Sequence, residues 1–470
     1  VQEQTFVGRE PQLQELNSRL EKALAGQGQV CFVTGQAGTG KTALVWHFAQ
    51  RALAAHPDLV MSGGSCNAQA GIGDPYLPFR EALAMLTGDI STSEPHQIPP
   101  ENAQRLRLVL VRSVQVLVEV APELVGVFVP GAKLVGALGK AVAKKTGWMD
   151  ALEKRASPPA AGATAAEGHV IEQYTAYVQR LSAETPLILF LDDLQWADGA
   201  SLNLLFHLGR HVDASRVLIL GAFRPNDVAL GRSGRRHPLE PVVNDLTRYY
   251  GDVPLDLDAI PEEDGRRFVS ALLDSEAHCL DQAFRQALYR RTGGHALFTV
   301  ELLRAMRERD DLVRNADGCW VEGPSLDWSL LPARVEGVIE ERIDRLDEDL
   351  REMLVVASVE GQEFTAEIVA RVQAMPELHV IRQLNGVLAG RHDLVRSQGT
   401  VDLDGIRLSR YRFVHALFQQ YLYDNLAEAE RVYLHQDIAE ALELLFENRL
   451  EDIVARLAHH FEEAKLPARA

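Results

Sequence analysis

Apolar residues change their spacing as the chain proceeds, and the changes mark out elements. Leu13, Leu16, Leu20 and Leu24 recur at intervals of three and four, which predicts an amphipathic helix over 10–25, ended by Gly26 and Gly28. The run VCFVT (30–34) is apolar almost throughout and predicts a buried strand, with a helix expected over 42–55. Further strands are expected at 60–65, at LILFL (187–191) and at VLILGAF (217–223), and a helix over 76–86. Apolar strands that alternate with helices predict a parallel sheet covered on both faces, an α/β architecture.

Beyond about residue 255 the strand runs give way to helical periodicity, up to about residue 309. The region 332–426 holds helices followed by LVRSQGTVDLDGIRLSRYRFVH (394–415), two β-rich runs around a VDLDGI turn. Helices closed by a hairpin describe a winged helix. The remaining residues are helical again, with no repeat period established over so short a piece. The expected divisions are 1–254, with a helical insertion at about 91–167, then 255–330, 331–426 and 427–470. Within the insertion, SPPAAGATAAEG (157–168) is rich in breakers and is expected to be a mobile loop.

One stretch between these elements carries chemistry. GQAGTGKT (35–42) matches the GxxxxGK[ST] pattern in full and lies between an expected strand and an expected helix, the context the pattern requires. Gly35, Gly38 and Gly40, with Gln36, Ala37, Thr39 and Ala43 beside them, let backbone amides turn inward around phosphates, and the start of the helix adds partial positive charge. Lys41 is placed to reach the β- and γ-phosphates of ATP and Thr42 to ligate Mg2+. The alternative, a glycine-rich turn with a chance lysine, lacks a reason for both flanks.

LILFLDD adds an apolar strand that delivers carboxylates at its carboxyl end, where α/β sheets place ligands. Asp192 is the second candidate magnesium ligand, through water, and Asp193 the group to orient or deprotonate an attacking water. Arg224, just past VLILGAF, is placed by the same logic to sense a γ-phosphate; its alternative is a surface arginine opening a loop. Trp196 and Asp198 are read as core packing and a helix cap.

Charge and composition narrow the partners. The net charge of −18 opposes attraction to DNA or an anionic surface, so nucleic acid is a disfavoured partner. In the most membrane-like stretch, 124–143, Pro130 and Lys133 interrupt the ~20 apolar residues a span needs, and a buried or interfacial helix is expected instead. The four cysteines are far apart with no CxxC, which suggests neither a zinc site nor a disulfide framework; a cytoplasmic location fits. No secretory leader opens the chain, and a start at Val1 suggests a piece of something longer.

FVGRE (6–10), the phosphate loop, LDDLQWAD (191–198), GAFRP (221–225), GGHALFTVELL (293–303) and YRFVHALFQQYLYDNL (411–426) occur in the order seen in STAND proteins. The chain therefore resembles these signal-transducing ATPases related to AAA+ proteins, in particular the bacterial branch usually followed by tetratricopeptide repeats. The resemblance implies an α/β P-loop ATPase core followed by a helical domain and a winged-helix domain. It also implies a switch between a closed ADP form and an ATP form that self-associates, with slow hydrolysis and with sensor and effector domains outside these residues.

By the same resemblance, Val7, Gly8 and Arg9 contact base and ribose, and Arg224 senses the γ-phosphate. Residues 293–297 correspond to a motif that usually reads GxP, with Ala296 in the place of the proline. His415 matches a histidine that holds the ADP β-phosphate, although a lone histidine beside an apolar run is more often a core residue. No arginine finger is identifiable; Arg210 is merely available. The alternative function is a DNA-binding AAA+ ATPase or transcription regulator that uses the winged helix, but 366–388 carries only Arg371 and Arg382 as fixed positive charges. A small-molecule kinase is a third reading, for which no acceptor pocket is identified.

Overall fold

The computed structural model describes residues 9–66, 75–88, 100–128, 163–230, 237–251, 253–258, 261–328, 331–332, 334–403, 406–446, 453–466 and 469. The described residues of 9–36 and 41–258 group into one compact unit, and those of 37–40 and 259–470 into another.

In the first of these units, α1 (Glu10–Leu24) buries Leu13, Leu16 and Leu20, the stripe expected from their spacing. β1 (Gln29–Thr34) leads into the glycine loop, and α2 (Lys41–Ala55) starts on that loop. The strands β2 (Val60–Ser65), β3 (Leu187–Asp192), β4 (Val217–Phe223) and β5 (Pro254–Asp256) complete a sheet of order β2-β3-β4-β1-β5. All of its pairings are parallel.

Every residue of β4 is buried, as is all of β1 after its first residue, because both strands have neighbours on either side and helices over both faces. Burial on both faces explains why these runs lack polar alternation. The short β5 has no such run: its burial is partial, and pairing with β1 defines it. The order also fixes where chemistry is possible. β4 lies between β1 and β3, and the carboxyl ends of all three open on one edge of the sheet.

The helix Ala163–Ser182 corrects the last six residues of the loop expected at 157–168, of which 157–162 lie outside the described residues. Residues 163–168, ATAAEG, are helical because alanine and glutamate favour the helix and one glycine costs only about 1 kcal/mol. Residues 129–162, and with them most of 124–143, lie outside the described residues; Leu124–Val127 is helical. Among the described residues no helix is long and apolar enough to cross a membrane.

In the other unit, helices Glu262–Asp274, Gln282–Thr292 and Ala296–Glu308 pack around Phe284, Leu288, Leu302 and Met306. A small antiparallel hairpin comes next, β6 (Leu312–Arg314) with β7 (Trp320–Glu322). Further on, helices Val335–Asp344 and Glu348–Glu360 precede β8 (Glu363–Thr365), helices Ala366–Val372 and Glu377–Arg382, and the hairpin of β9 (Val395–Leu403) and β10 (Ile406–Phe413). The three strands form one antiparallel sheet of order β8-β10-β9. Residues 401–403 and 406 of VDLDGI are therefore strand, and 404 and 405 lie outside the described residues.

The helices Glu428–Leu445 and Val454–Glu463 share a single core with this region: Ile438, Leu442 and Phe461 join the cluster that contains Ile368, Phe364 and Phe418. The expected division at 426/427 does not coincide with a break in the core.

Candidate functional site

The loop after β1 turns sharply, with φ of 80° at Gly38 and 90° at Gly40, a region side chains disfavour and glycine enters freely. Lys41, the first residue of α2, is buried and folds its ammonium back over the loop, donating to the carbonyl oxygens of Gly35 at 2.8 Å and Gln36 at 2.9 Å. Burial pulls the Lys41 ammonium below the ordinary lysine range, and the Arg224 charge pulls in the same direction. The Gln36 amide donates to Asp258 Oδ1 at 2.8 Å, which ties the loop to the segment after β5. Thr39 is buried and Ala43 exposed at the start of α2.

Thr42 Oγ1 donates to Asp192 Oδ2 at 2.9 Å, so the two candidate magnesium ligands, 150 residues apart in sequence, meet directly. The Asp192 carboxyl is pushed up to about 7, by burial first and by the neighbouring Asp193 second. A hydroxyl and a buried carboxylate with too little compensating charge form a hard-oxygen set, and a divalent cation such as magnesium fits it.

β3 ends at Asp192, and Asp193 turns the chain out of the strand with φ 52°, a conformation Asp tolerates better than most side chains. Asp193 Oδ1 accepts from Gln195 Nε2 at 2.7 Å and lies 4.0 Å from Arg224 Nη2. Arg224 is buried and also lies 3.7 Å from Asp227. Gln195 joins the ends of two strands: its side chain donates to Asp193 and its Oε1 accepts from the Arg224 amide at 3.1 Å. Sequence reasoning passed over Gln195, although its place two residues past the paired carboxylates is a signal once β3 and β4 are known to be neighbours.

Val7 and Gly8 lie outside the described residues. Arg9 is buried at the start of α1 and donates to the Leu257 carbonyl at 3.3 Å. Trp196 packs against the apolar core, and Asp198 caps the helix Gly199–His211 by accepting from Ser201 N at 2.9 Å, both as expected. Arg210 lies over the rings of Phe206 and Tyr249. His295 caps the helix Ala296–Glu308, and the Leu297 amide donates to the Gly38 carbonyl at 3.2 Å. Ala296 therefore holds the first helical position, where a proline is equally at home. His415 caps the helix Ala416–Asp424, its Nδ1 accepting from the Leu417 amide at 3.2 Å.

Residues 5–220 match the protein family described as AAA ATPase domain. Over those residues the chain is similar to an AAA-type ATPase domain. The region 9–258 has the parallel sheet expected of a P-loop core.

Solved structures similar to this chain include three. One is the STAND protein with a tetratricopeptide repeat sensor from Pyrococcus horikoshii, with 14% identity, a TM-score of 0.45, and coverage of 99% of this chain and 54% of that chain. The present chain spans about half the length of that protein. Another is the ORC1 protein of Aeropyrum pernix in complex with DNA, with 16% identity, a TM-score of 0.36, and coverage of 90% and 93%. The third is a Walker-type ATPase of Pyrococcus abyssi, with 11% identity, a TM-score of 0.31, and coverage of 88% and 95%. No curated protein matches the sequence.

Proposed function

We propose that this ATPase works as a nucleotide-dependent signalling switch of the STAND kind. The observation that carries the ATPase half of the reading is the meeting of Thr42, Asp192, Asp193 and Arg224 at one sheet edge beside Lys41. When bound, magnesium would neutralise phosphate charge as it develops. Thr42 and Asp192 would hold it, Lys41 would exchange its loop carbonyls for phosphate oxygens, and Asp193 would orient water or take its proton. Arg224, held against Asp193, reports the γ-phosphate to the water-orienting group.

The switch half rests on the motif order and on His415. An imidazole whose Nδ1 accepts a hydrogen bond carries its ring proton on Nε2, and the cap at Leu417 therefore makes Nε2 a donor suited to a phosphate oxygen. In this reading the region 331–426 is a winged helix that closes on ADP, the ATP form self-associates, and slow hydrolysis resets the cycle. Sensor and effector domains lie beyond these residues. A ligand shifts such an equilibrium only through contacts that differ between the two states, which gives Arg224 and His415 their weight. DNA binding is the alternative, and helices Ala366–Val372 and Glu377–Arg382 offer it little, since Glu367 and Glu377 accompany Arg371 and Arg382.

The deciding experiment measures the nucleotide that co-purifies, phosphate release, and mass by light scattering with ADP and with ATP. Lys41→Ala is expected to lose nucleotide and to lower phosphate release by about 10²-fold or more. His415→Asn preserves a helix cap but not the imidazole, and is expected to release ADP and shift the protein toward the ATP-type assembly. Unchanged ADP retention and unchanged mass in His415→Asn would refute the closed-state role while leaving the ATPase assignment intact.

A further inference from the structure

The four cysteines are widely separated in sequence, yet the fold sorts them into two kinds. Cys31 on β1 and Cys66 just past β2 are buried. Burial pushes the Cys31 thiol up to about 12 and the Cys66 thiol well above the ordinary range. Since the thiolate is the reactive form, both are inert. Cys279 is exposed and Cys319 partly so.

These two lie 40 positions apart, 319 minus 279, and the backbone brings them together. The Trp320 amide donates to the Ala277 carbonyl at 3.0 Å and the Cys279 amide donates to the Trp320 carbonyl at 2.9 Å, which pairs His278 with Trp320 as a parallel bridge. Residue 319 is fixed from its own side as well: its amide donates to Asn315 Oδ1 at 3.0 Å, and its carbonyl accepts from the Asn315 amide at 3.0 Å. Trp320 is clamped in turn, with its indole N–H on Glu276 at 2.8 Å and the guanidinium groups of Arg307 and Arg314 over its ring. Cys279 and Cys319 flank this bridge, one on each side, and alternation along the backbone turns both away from the face of His278 and Trp320, so the two thiols leave it on one face.

We propose that Cys279 and Cys319 are a reversible oxidation site that closes to a disulfide, stapling the β6–β7 hairpin to the connection between helices Glu262–Asp274 and Gln282–Thr292. The oxidant is a peroxide. Cys279, the more exposed sulfur, attacks a peroxide oxygen as its thiolate, the O–O bond breaks, and Cys279 becomes a sulfenic acid as water leaves. The Cys319 sulfur then attacks the Cys279 sulfur; the S–S bond forms, the S–O bond breaks, and the hydroxyl departs with the Cys319 proton as a second water. Both sulfurs are oxidised by one electron each and the peroxide is reduced to water. Burial first, and the neighbouring Cys279 second, hold the Cys319 thiol above the ordinary range, consistent with its acting second.

The test treats the whole chain, natively folded, with a slight excess of hydrogen peroxide, blocks remaining thiols with iodoacetamide, and maps peptides by mass spectrometry without reduction. The expected result is a cross-linked pair containing Cys279 and Cys319, lighter by two hydrogens, reversed by dithiothreitol. In the same oxidised sample, amide exchange in 312–322 is expected to slow, and Cys279→Ser is expected to abolish both changes. Alkylation of both thiols after oxidation would overturn the proposal. So would a link found only in denatured protein, or only between two chains.

Discussion

Asp193 combines several demands on one residue. It leaves β3 in a left-handed conformation, receives the Gln195 side chain and faces Arg224, all beside the carboxyl of Asp192. Asparagine tolerates that backbone and preserves the shape, while removing both the negative charge and the basic site. Asp193→Asn is accordingly expected to lower single-turnover phosphate release by about 10²- to 10³-fold, with nucleotide affinity, read by titration calorimetry, nearly unchanged. Gln195→Ala removes the group that joins Asp193 to the Arg224 backbone and is expected to give a smaller loss in the same assay. A Gln195→Ala enzyme as fast as the parent would show that this bridge has no positioning role. At this scale the sequence singled out Lys41, Thr42 and both aspartates as candidates, because the loop pattern and the strand-end position each constrain residue type, and the fold brings them together. It did not reveal Gln195 or Asp258, whose roles depend on which strands are neighbours.

Elements were legible where burial is two-sided or strictly periodic. β3, β4 and α2 lie within a residue of expectation, since nothing competes with a continuous apolar run or a clean helical stripe. The tract 163–168 was read wrongly because glycine and proline nearby signal a loop, while the intrinsic helix preference of ATAAEG carries the helix into it. Caps can be tested separately from catalysis. Asp198→Ala removes the cap on the helix Gly199–His211 and is expected to cost ~1 kcal/mol in urea denaturation without altering phosphate release. A fall in hydrolysis at constant nucleotide binding would instead bring Asp198 into the chemistry.

Across the whole molecule, the C-terminal helices introduce a pH dependence. His435 and His460 are both buried, with Nδ1 to Nδ1 at 2.8 Å, and Tyr423 Oη lies 3.1 Å from His435 Nε2. Burial, then His459 and Arg431, pulls the His435 imidazole down to about 3. Burial, then His435, pulls His460 well below the histidine range. The unfolded chain takes up these protons near pH ~6.5 and the folded chain only at much lower pH, so the unfolded state binds more protons throughout the interval. Stability therefore falls as pH drops through that window. From pH 7 to pH 5 the loss from His435 alone is expected to be ~2 kcal/mol by denaturant titration. His435→Gln is expected to flatten the dependence, and an unchanged slope would mean that this pair is solvated.

The sequence by itself determined the α/β core, the phosphate loop with its paired carboxylates and the helical character of the chain beyond residue 255, because those features arise from local pattern and from chemistry that tolerates few substitutes. Tertiary structure alone decided that β4 lies between β1 and β3, which sets Arg224 beside Asp193 and Gln195 between them. It also decided that the last two helices share a core with 335–426, and that Cys279 and Cys319 flank one backbone bridge. Such pairings join residues tens to hundreds of positions apart, and the free energy that selects them comes from packing and hydrogen bonding across the fold rather than from any preference carried by a short segment.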